Sequence, residues 1–280
     1  MRLRSFVSPL AVALLLSACA DGPDPLLTGP VAGVPAPSFI VNGVPDGAGH
    51  PNVGAILYDF SANGAIEAEE TFCSGSLIAP TVFLTAAHCL YGWPAGSQLY
   101  VTFDADLRDG ASPLIPAVSA IYDPRFGHDR AHLYDLGVVI LPTGSTAGIT
   151  PAALPPAGYL DQRAARGGLR DQLFENVGYG LEAFFRPAPP RYRDPRQRLV
   201  SESPFMALQP TWLGLLMNAN ATGKGGDCYG DSGSPKFVAG TNMIVATVTT
   251  GDRICRATTW DWRLDTEAAR SFLRGYVTLP

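Results

Sequence analysis

Cys228-Tyr229-Gly230-Asp231-Ser232-Gly233-Ser234-Pro235 is a glycine-flanked turn that displays one serine, and the purpose of that serine decides how the rest of the chain is read. Taken alone, Gly-Asp-Ser-Gly is a turn and no more. Two stretches upstream supply what it lacks. Leu84-Thr85-Ala86-Ala87-His88-Cys89 offers an imidazole, and Tyr134-Asp135-Leu136-Gly137-Val138-Val139-Ile140-Leu141 offers a carboxylate at the head of an apolar run. A serine hydroxyl is a weak nucleophile at neutral pH, so acyl transfer needs a base to take its proton and a buried acid to hold that base in the right tautomer. His88, Asp135 and Ser232 provide base, acid and nucleophile in that chain order. The order excludes an α/β-hydrolase, in which the nucleophile comes first, and Ser234 breaks the G-x-S-x-G elbow of that fold.

Around these stretches, short apolar runs recur between turn residues: Val53 to Tyr58, Ser76 to Ile78, Val82 to Thr85, Leu99 to Phe103, Leu136 to Leu141, Phe237 to Val238 and Met243 to Val248. Such spacing predicts an all-β sandwich or barrel. Composition agrees: with 30 Gly and 25 Pro in 280 residues, turns are frequent and a helical bundle is disfavoured. A 46% hydrophobic and 16% charged chain can bury a sizeable core. One helix is expected, at the end, with Asp265 capping Thr266-Glu-Ala-Ala-Arg-Ser-Phe-Leu-Arg-Gly-Tyr276 and with Ala268 and Phe272 on one face. The net charge of −5 argues against a nucleic-acid partner, which demands a basic surface. The Arg- and Pro-rich run 186–198 reads as a solvated loop. Of the 20 basic residues, Lys224 and Lys236 are the two lysines, a bias with no mechanism attached to it.

The first 18 residues begin with Arg2 and Arg4 and continue into an apolar stretch too short to span a bilayer, so residues 1–18 are expected to be an export signal. They run into Leu16-Ser17-Ala18-Cys19, which resembles the lipobox of bacterial lipoproteins and makes Cys19 the expected site of lipidation. Residues 19–39 carry five prolines without a period and read as an extended linker or propeptide. Lipidation of Cys19 would leave four of the five cysteines. Of their three possible pairings, two local disulfides within Cys73 and Cys89 and within Cys228 and Cys255 are the economical one.

The conjunction of the three motifs resembles the chymotrypsin/trypsin family of serine endopeptidases. Cys73-Ser74-Gly75-Ser76-Leu77-Ile78 stands before Thr85-Ala86-Ala87-His88-Cys89 at that family's disulfide spacing, and Ile40-Val41-Asn42-Gly43 looks like its mature amino terminus. Asp123-Pro124-Arg125-Phe126, Val177-Gly178-Tyr179-Gly180 and Thr249-Thr250-Gly251 also match, so the resemblance covers residues 40–275. It implies an all-β fold of two antiparallel six-stranded barrels with a C-terminal helix: a first barrel over about residues 40–155, a second over about 156–264, and the helix over about 266–275. It further implies a catalytic His88, Asp135 and Ser232, an oxyanion hole from the N–H groups of Gly230 and Ser232, and substrate binding by Gly226, Asp227, Thr249 and Gly251. Activation would follow cleavage before Ile40, whose new ammonium would pair with Asp231. Protein or peptide is the implied substrate, with no cofactor and no metal. A monomer is expected, exported and touching a membrane only through lipid on Cys19, as a cell-envelope lipoprotein or secreted after processing.

Several positions depart from the family pattern. Ser234 replaces a usual glycine, Thr250 a common aromatic, and Gly226 stands where basic-specific members carry an aspartate, with Asp227 beside it. Gly226 therefore predicts a preference not restricted to Arg or Lys. The alternative to a peptidase is a protease-like binding module without activity. His128-Asp129-Arg130-Ala131-His132 echoes the HExxH zinc motif, but Asp is shorter than the required Glu and the segment is rich in turn residues.

Overall fold

The apolar runs become strands of two sheets in the computed structural model, which describes residues 39–93, 96–128, 133–185 and 188–280. The signal segment 1–18, Cys19, the linker as far as residue 38, and Asp129 and His132 of the zinc-like motif lie outside the described residues. The first sheet is built from β2 (Val53–Leu57), β3 (Thr71–Ala79), β4 (Val82–Thr85), β5 (Tyr100–Thr102), β6 (Ile115–Pro116), β7 (Ser119–Tyr122) and β8 (Gly137–Ile140), in the order β6-β5-β2-β3-β4-β8-β7. Its two ends belong to one bent segment. Ile115–Pro116 pairs with β5 while Ser119–Tyr122 pairs with β8, so residues 115–122 cross from one edge of the sheet to the other and curl it.

The second sheet contains β1 (Val44–Pro45), β9 (Leu173–Gly178), β12 (Leu199–Leu208), β13 (Trp212–Leu216), β14 (Pro235–Val238), β15 (Ile244–Gly251) and β16 (Thr258–Arg263). Strand β9 pairs with both β14 and β12, which closes a six-stranded ring, and β1 adds to the outside of β12. A small hairpin of β10 (Glu182–Phe184) and β11 (Arg191–Arg193) stands apart from both sheets. All ladders are antiparallel, as expected for all-β barrels joined by short turns.

Each barrel buries its own apolar face, and a third cluster fuses the two. Ile56, Leu77, Phe83, Val101 and Val139 fill the first barrel. Phe174, Leu213, Leu215, Val245 and Ala246 fill the second. Between them lie Val53, Leu84, Val138 and Leu136 of the first sheet against Val177, Phe237, Ile244 and Trp262 of the second.

The C-terminal helix spans Glu267–Leu273 and packs Phe272 and Leu273 on that shared cluster. Its cap is Thr266, whose Oγ1 accepts the Ala269 N–H at 3.3 Å. Asp265, the expected cap, instead pairs with buried Arg263 and accepts the Leu160 N–H at 2.8 Å. A shorter β-hydroxyl already sits at the helix start, which leaves the carboxylate free for tertiary contacts.

The Arg-rich run is a solvated loop only in part. Arg193 pairs with Glu182, and Arg196 reaches Glu69 at 2.5 Å. Arg198 is buried: it grips Asp46 at 2.7 Å and donates to the carbonyls of Val53 and Phe103 at 3.0 Å and of Gly47 at 2.8 Å, tying the start of β12 to the first barrel. Composition hid this role, because Arg191, Arg193 and Arg196 face solvent while Arg198 turns inward. His50, read simply as a loop residue, is half-buried over the Phe237 ring, with Nδ1 2.6 Å from Asp46.

Candidate active site

His88 sits in a single turn of 3-10 helix, Ala87–Cys89, directly after β4, and Asp135 precedes β8, the strand that pairs with β4. Pairing of Thr85 with Gly137 therefore brings the acid to the base. Asp135 is fully buried and holds His88 twice: Oδ2 lies 2.8 Å from Nδ1, and Oδ1 accepts the His88 backbone N–H at 2.9 Å. A carboxylate on Nδ1 leaves the other ring nitrogen, Nε2, free to act as the proton acceptor. The imidazole side chain is 34% exposed and so open to solvent on one side.

Ser232 reaches the same place through β3. The Ser232 carbonyl accepts the Ser74 N–H at 2.9 Å, and Ser74 follows Cys73, which is disulfide-bonded to Cys89 next to the histidine. Gly233 completes the docking. A Cβ there would lie 2.1 Å from Thr85 Oγ1 and 2.6 Å from the Ala86 nitrogen, at a φ of +80°, so only glycine lets the serine turn lie against the histidine turn. The Ser74 hydroxyl, which sequence reasoning passed over, donates to the Gly230 carbonyl at 2.9 Å and accepts the Tyr179 N–H at 3.1 Å. It fastens the residue expected to form the oxyanion hole to the strand behind it. Ser234 fits where glycine is usual because its Cβ faces Gly178.

A cavity of about 320 Å³ opens beside Ser232, lined by Met217, Asp227, the Cys228–Cys255 disulfide, Val248, Thr249 and Gly251 among others. Asp227, Thr249 and Gly251 thus line this cavity. Gly226 lies behind the wall: a Cβ on it would meet Met217 Cγ at 2.2 Å. The β14–β15 ladder ends at Thr247 while β16 still pairs with Thr250 and Gly251, so over 249–251 the edge of β15 away from β16 has no strand partner among the described residues.

Ile40 is fully buried, and the Val41 carbonyl accepts the Gly226 N–H at 3.0 Å, so the segment before β1 already packs behind this cavity. Asp231 is also fully buried, with the N–H groups of Gly180 and Cys228 each 2.9 Å from one of its oxygens. Burial first, and then the neighbouring Asp227 charge, pushes its carboxyl up to about 7. Among the described residues no cation lies in ion-pair contact with it.

The Trypsin family model matches residues 53–260. The chain belongs to the trypsin family. It is 28% identical over 201 residues to bovine (Bos taurus) coagulation factor XII, covering 66% of this chain and 30% of that protein. Two solved structures share the fold: HL collagenase, at a TM-score of 0.57 and 17% identity over 80% of this chain and 93% of that one, and HBP, at a TM-score of 0.58 and 18% identity over 83% and 93%. The sequence motifs name residues that the structure brings together, His88 against Asp135 with the Ser232 turn docked beside them, and both disulfides form. The motifs did not locate Lys236, which is fully buried on β14 four residues after the serine, paired with Asp227 and 2.6 Å from Asn176 Oδ1. A lysine inside the apolar run Pro235–Val238 was the available signal.

Proposed function

We propose that the protein is a serine endopeptidase that hydrolyses peptide bonds through an acyl-enzyme. The observation that carries this reading is the two-point grip of buried Asp135 on His88 beside a serine turn docked on the same histidine turn. Ser232 Oγ attacks the peptide carbonyl while His88 takes its proton and gives it to the leaving amine; water then attacks the acyl-enzyme, His88 takes its proton and returns it to Ser232 Oγ as the acid leaves. N–H groups of Gly230 and Ser232 stabilise the oxyanion, each such donor being worth about 10²–10³ in rate. The substrate backbone adds to the free edge at 249–251 as an extra strand. A fluorophosphonate tests the reading. Covalent labelling that is lost in Ser232→Ala and indifferent to chelator is expected; an unlabelled, folded chain would mark a protease-like binding module instead.

Activation by cleavage before Ile40 belongs to the same proposal. Buried Asp231, with no ion-pair partner among the described residues, supports it, since a new ammonium at Ile40 would supply a cation and pull that carboxyl down from about 7. With lipid on Cys19 and no disulfide joining residues 19–39 to the rest, the cut would release a soluble enzyme from a membrane-tethered, exported precursor. Amino-terminal sequencing of the active species is expected to begin at Ile40. An active chain that still begins at Cys19 would remove both activation and release from the proposal.

A further inference from the structure

Three charged residues line the cavity beside Ser232: exposed Arg253, Asp252, whose carboxylate accepts the N–H groups of Arg256, Ala257 and Thr258, and buried Asp227. A buried cavity carboxylate such as Asp227 ordinarily selects cations. Here the charge is already matched from behind. Lys236 Nζ contacts Asp227 Oδ2, lies 2.6 Å from Asn176 Oδ1 and stands 3.9 Å from Asp261 Oδ1. The lysine has no exposed surface, and its position is fixed by strand register, since Lys236 pairs directly with Asn176 across β14 and β9. Thr259 Oγ1 donates to Asp261 at 2.9 Å, which holds the second carboxylate in place.

We propose that Lys236 is a specificity-determining residue: it neutralises Asp227, so the cavity accepts an uncharged side chain from the substrate residue before the scissile bond and rejects arginine and lysine. This rests on the peptidase reading and names the substrate class of that site. An incoming guanidinium would meet the attraction of Asp227 offset by the repulsion of Lys236 directly behind it, and would lose its own hydration for little return. An uncharged side chain loses far less. It finds Met217, Val248 and the Cys228–Cys255 disulfide as apolar contacts. Two lining residues also carry buried oxygens with no hydrogen-bond partner among the described residues, the Thr249 hydroxyl and Asp227 Oδ1, the second a pure acceptor. That oxygen can take one neutral donor, such as a phenol hydroxyl, without any change in net charge.

Two readouts test the assignment. The first is the kcat/KM ratio for peptide anilides ending in Arg against Leu, Phe or Tyr. The second is calorimetric binding of benzamidine, a planar aromatic cation, which needs no turnover and is measured in the full chain carrying Ser232→Ala. The chain with Lys236 intact is expected to favour the uncharged peptides and to bind benzamidine no better than at millimolar concentrations. Lys236→Met should raise benzamidine affinity and the Arg-to-Leu ratio on the order of 10²-fold, as freeing one partner of a buried charge pair does. The double change Lys236→Met with Asp227→Asn should abolish the gain. Lys236→Gln, which keeps a polar contact to Asn176, serves if the methionine variant does not fold. Arginine preference or tight benzamidine binding with Lys236 intact would overturn the proposal, as would a folded Lys236 variant with no gain in cation affinity. Failure to turn over any peptide would count against the peptidase reading alone, and the benzamidine arm would still decide the role of Lys236.

Discussion

Asp135 commits both oxygens to His88, one to the ring and one to the backbone, so it fixes where the imidazole is and which nitrogen carries the proton. Replacement by Asn keeps the shape and loses the charge and the tautomer. Asp135→Asn, His88→Ala and Ser232→Ala are therefore each expected to lower turnover by roughly 10⁴–10⁶ with the fold intact, measured as kcat beside far-ultraviolet circular dichroism. Near-full activity in Asp135→Asn would reassign the acid. Ser74 makes a finer point at the same scale. Its hydroxyl holds the Gly230 carbonyl and the Tyr179 N–H. Ser74→Ala should lower kcat about tenfold with KM nearly unchanged, the loss of about one hydrogen bond felt when the oxyanion forms; a KM effect alone would mean that the contact only shapes the cleft.

Elements bring the site together by touching where side chains would obstruct. The serine turn lies against Thr85 and Ala86 at the end of β4, and Gly233 is the point of approach. Gly233→Ala must push the two turns apart, since its Cβ would fall 2.1 Å from Thr85 Oγ1. A displacement of this kind is expected to cost at least about 10² in kcat/KM. Fluorophosphonate labelling rates report it directly, and an unchanged rate would show that the turns are not jointly positioned. The C-terminal helix depends on a different device. Thr266 caps it while Asp265 serves Arg263 and Leu160, so Thr266→Ala should cost about 1 kcal/mol in denaturant unfolding without touching activity.

Across the whole molecule, buried charges join the two barrels and give the fold a pH dependence. Arg198 is the largest of these ties, and Arg198→Met would leave Asp46 buried with only His50 as a cationic partner. A loss of about 3–5 kcal/mol is expected in equilibrium unfolding. Asp261 acts in the opposite sense. Burial, above all, raises its carboxyl to about 8, against the lowering influence of Lys236. A group with a raised folded pKa binds more protons folded than unfolded between about pH 4 and 8, so stability falls as pH rises through that window. Asp231 in the uncut chain, raised to about 7, adds to the same slope. Thermal midpoints measured at pH 5 and pH 8 should therefore drop on going to pH 8, and Asp261→Asn should shrink the drop; an unchanged slope in that variant would mean that Asp261 is not its source.

What the sequence determined by itself was everything that rests on residue types at short spacing or in chain order. His88, Asp135 and Ser232 each stand in a short motif that can be read without the fold, and Cys73 with Cys89 and Cys228 with Cys255 are close enough along the chain for the local pairing to be the economical one. The all-β fold followed from apolar runs of strand length between turns. Tertiary structure alone decided which buried ions face one another. Lys236, Asn176, Asp227 and Asp261 come from β9, β14, β16 and the loop before the serine, and only register across those strands sets a lysine behind Asp227 rather than in solvent. Arg198 looked like its exposed neighbours for the same reason. Desolvation and long-range pairing are properties of the closed barrels, and neither leaves a local periodicity for the sequence to carry.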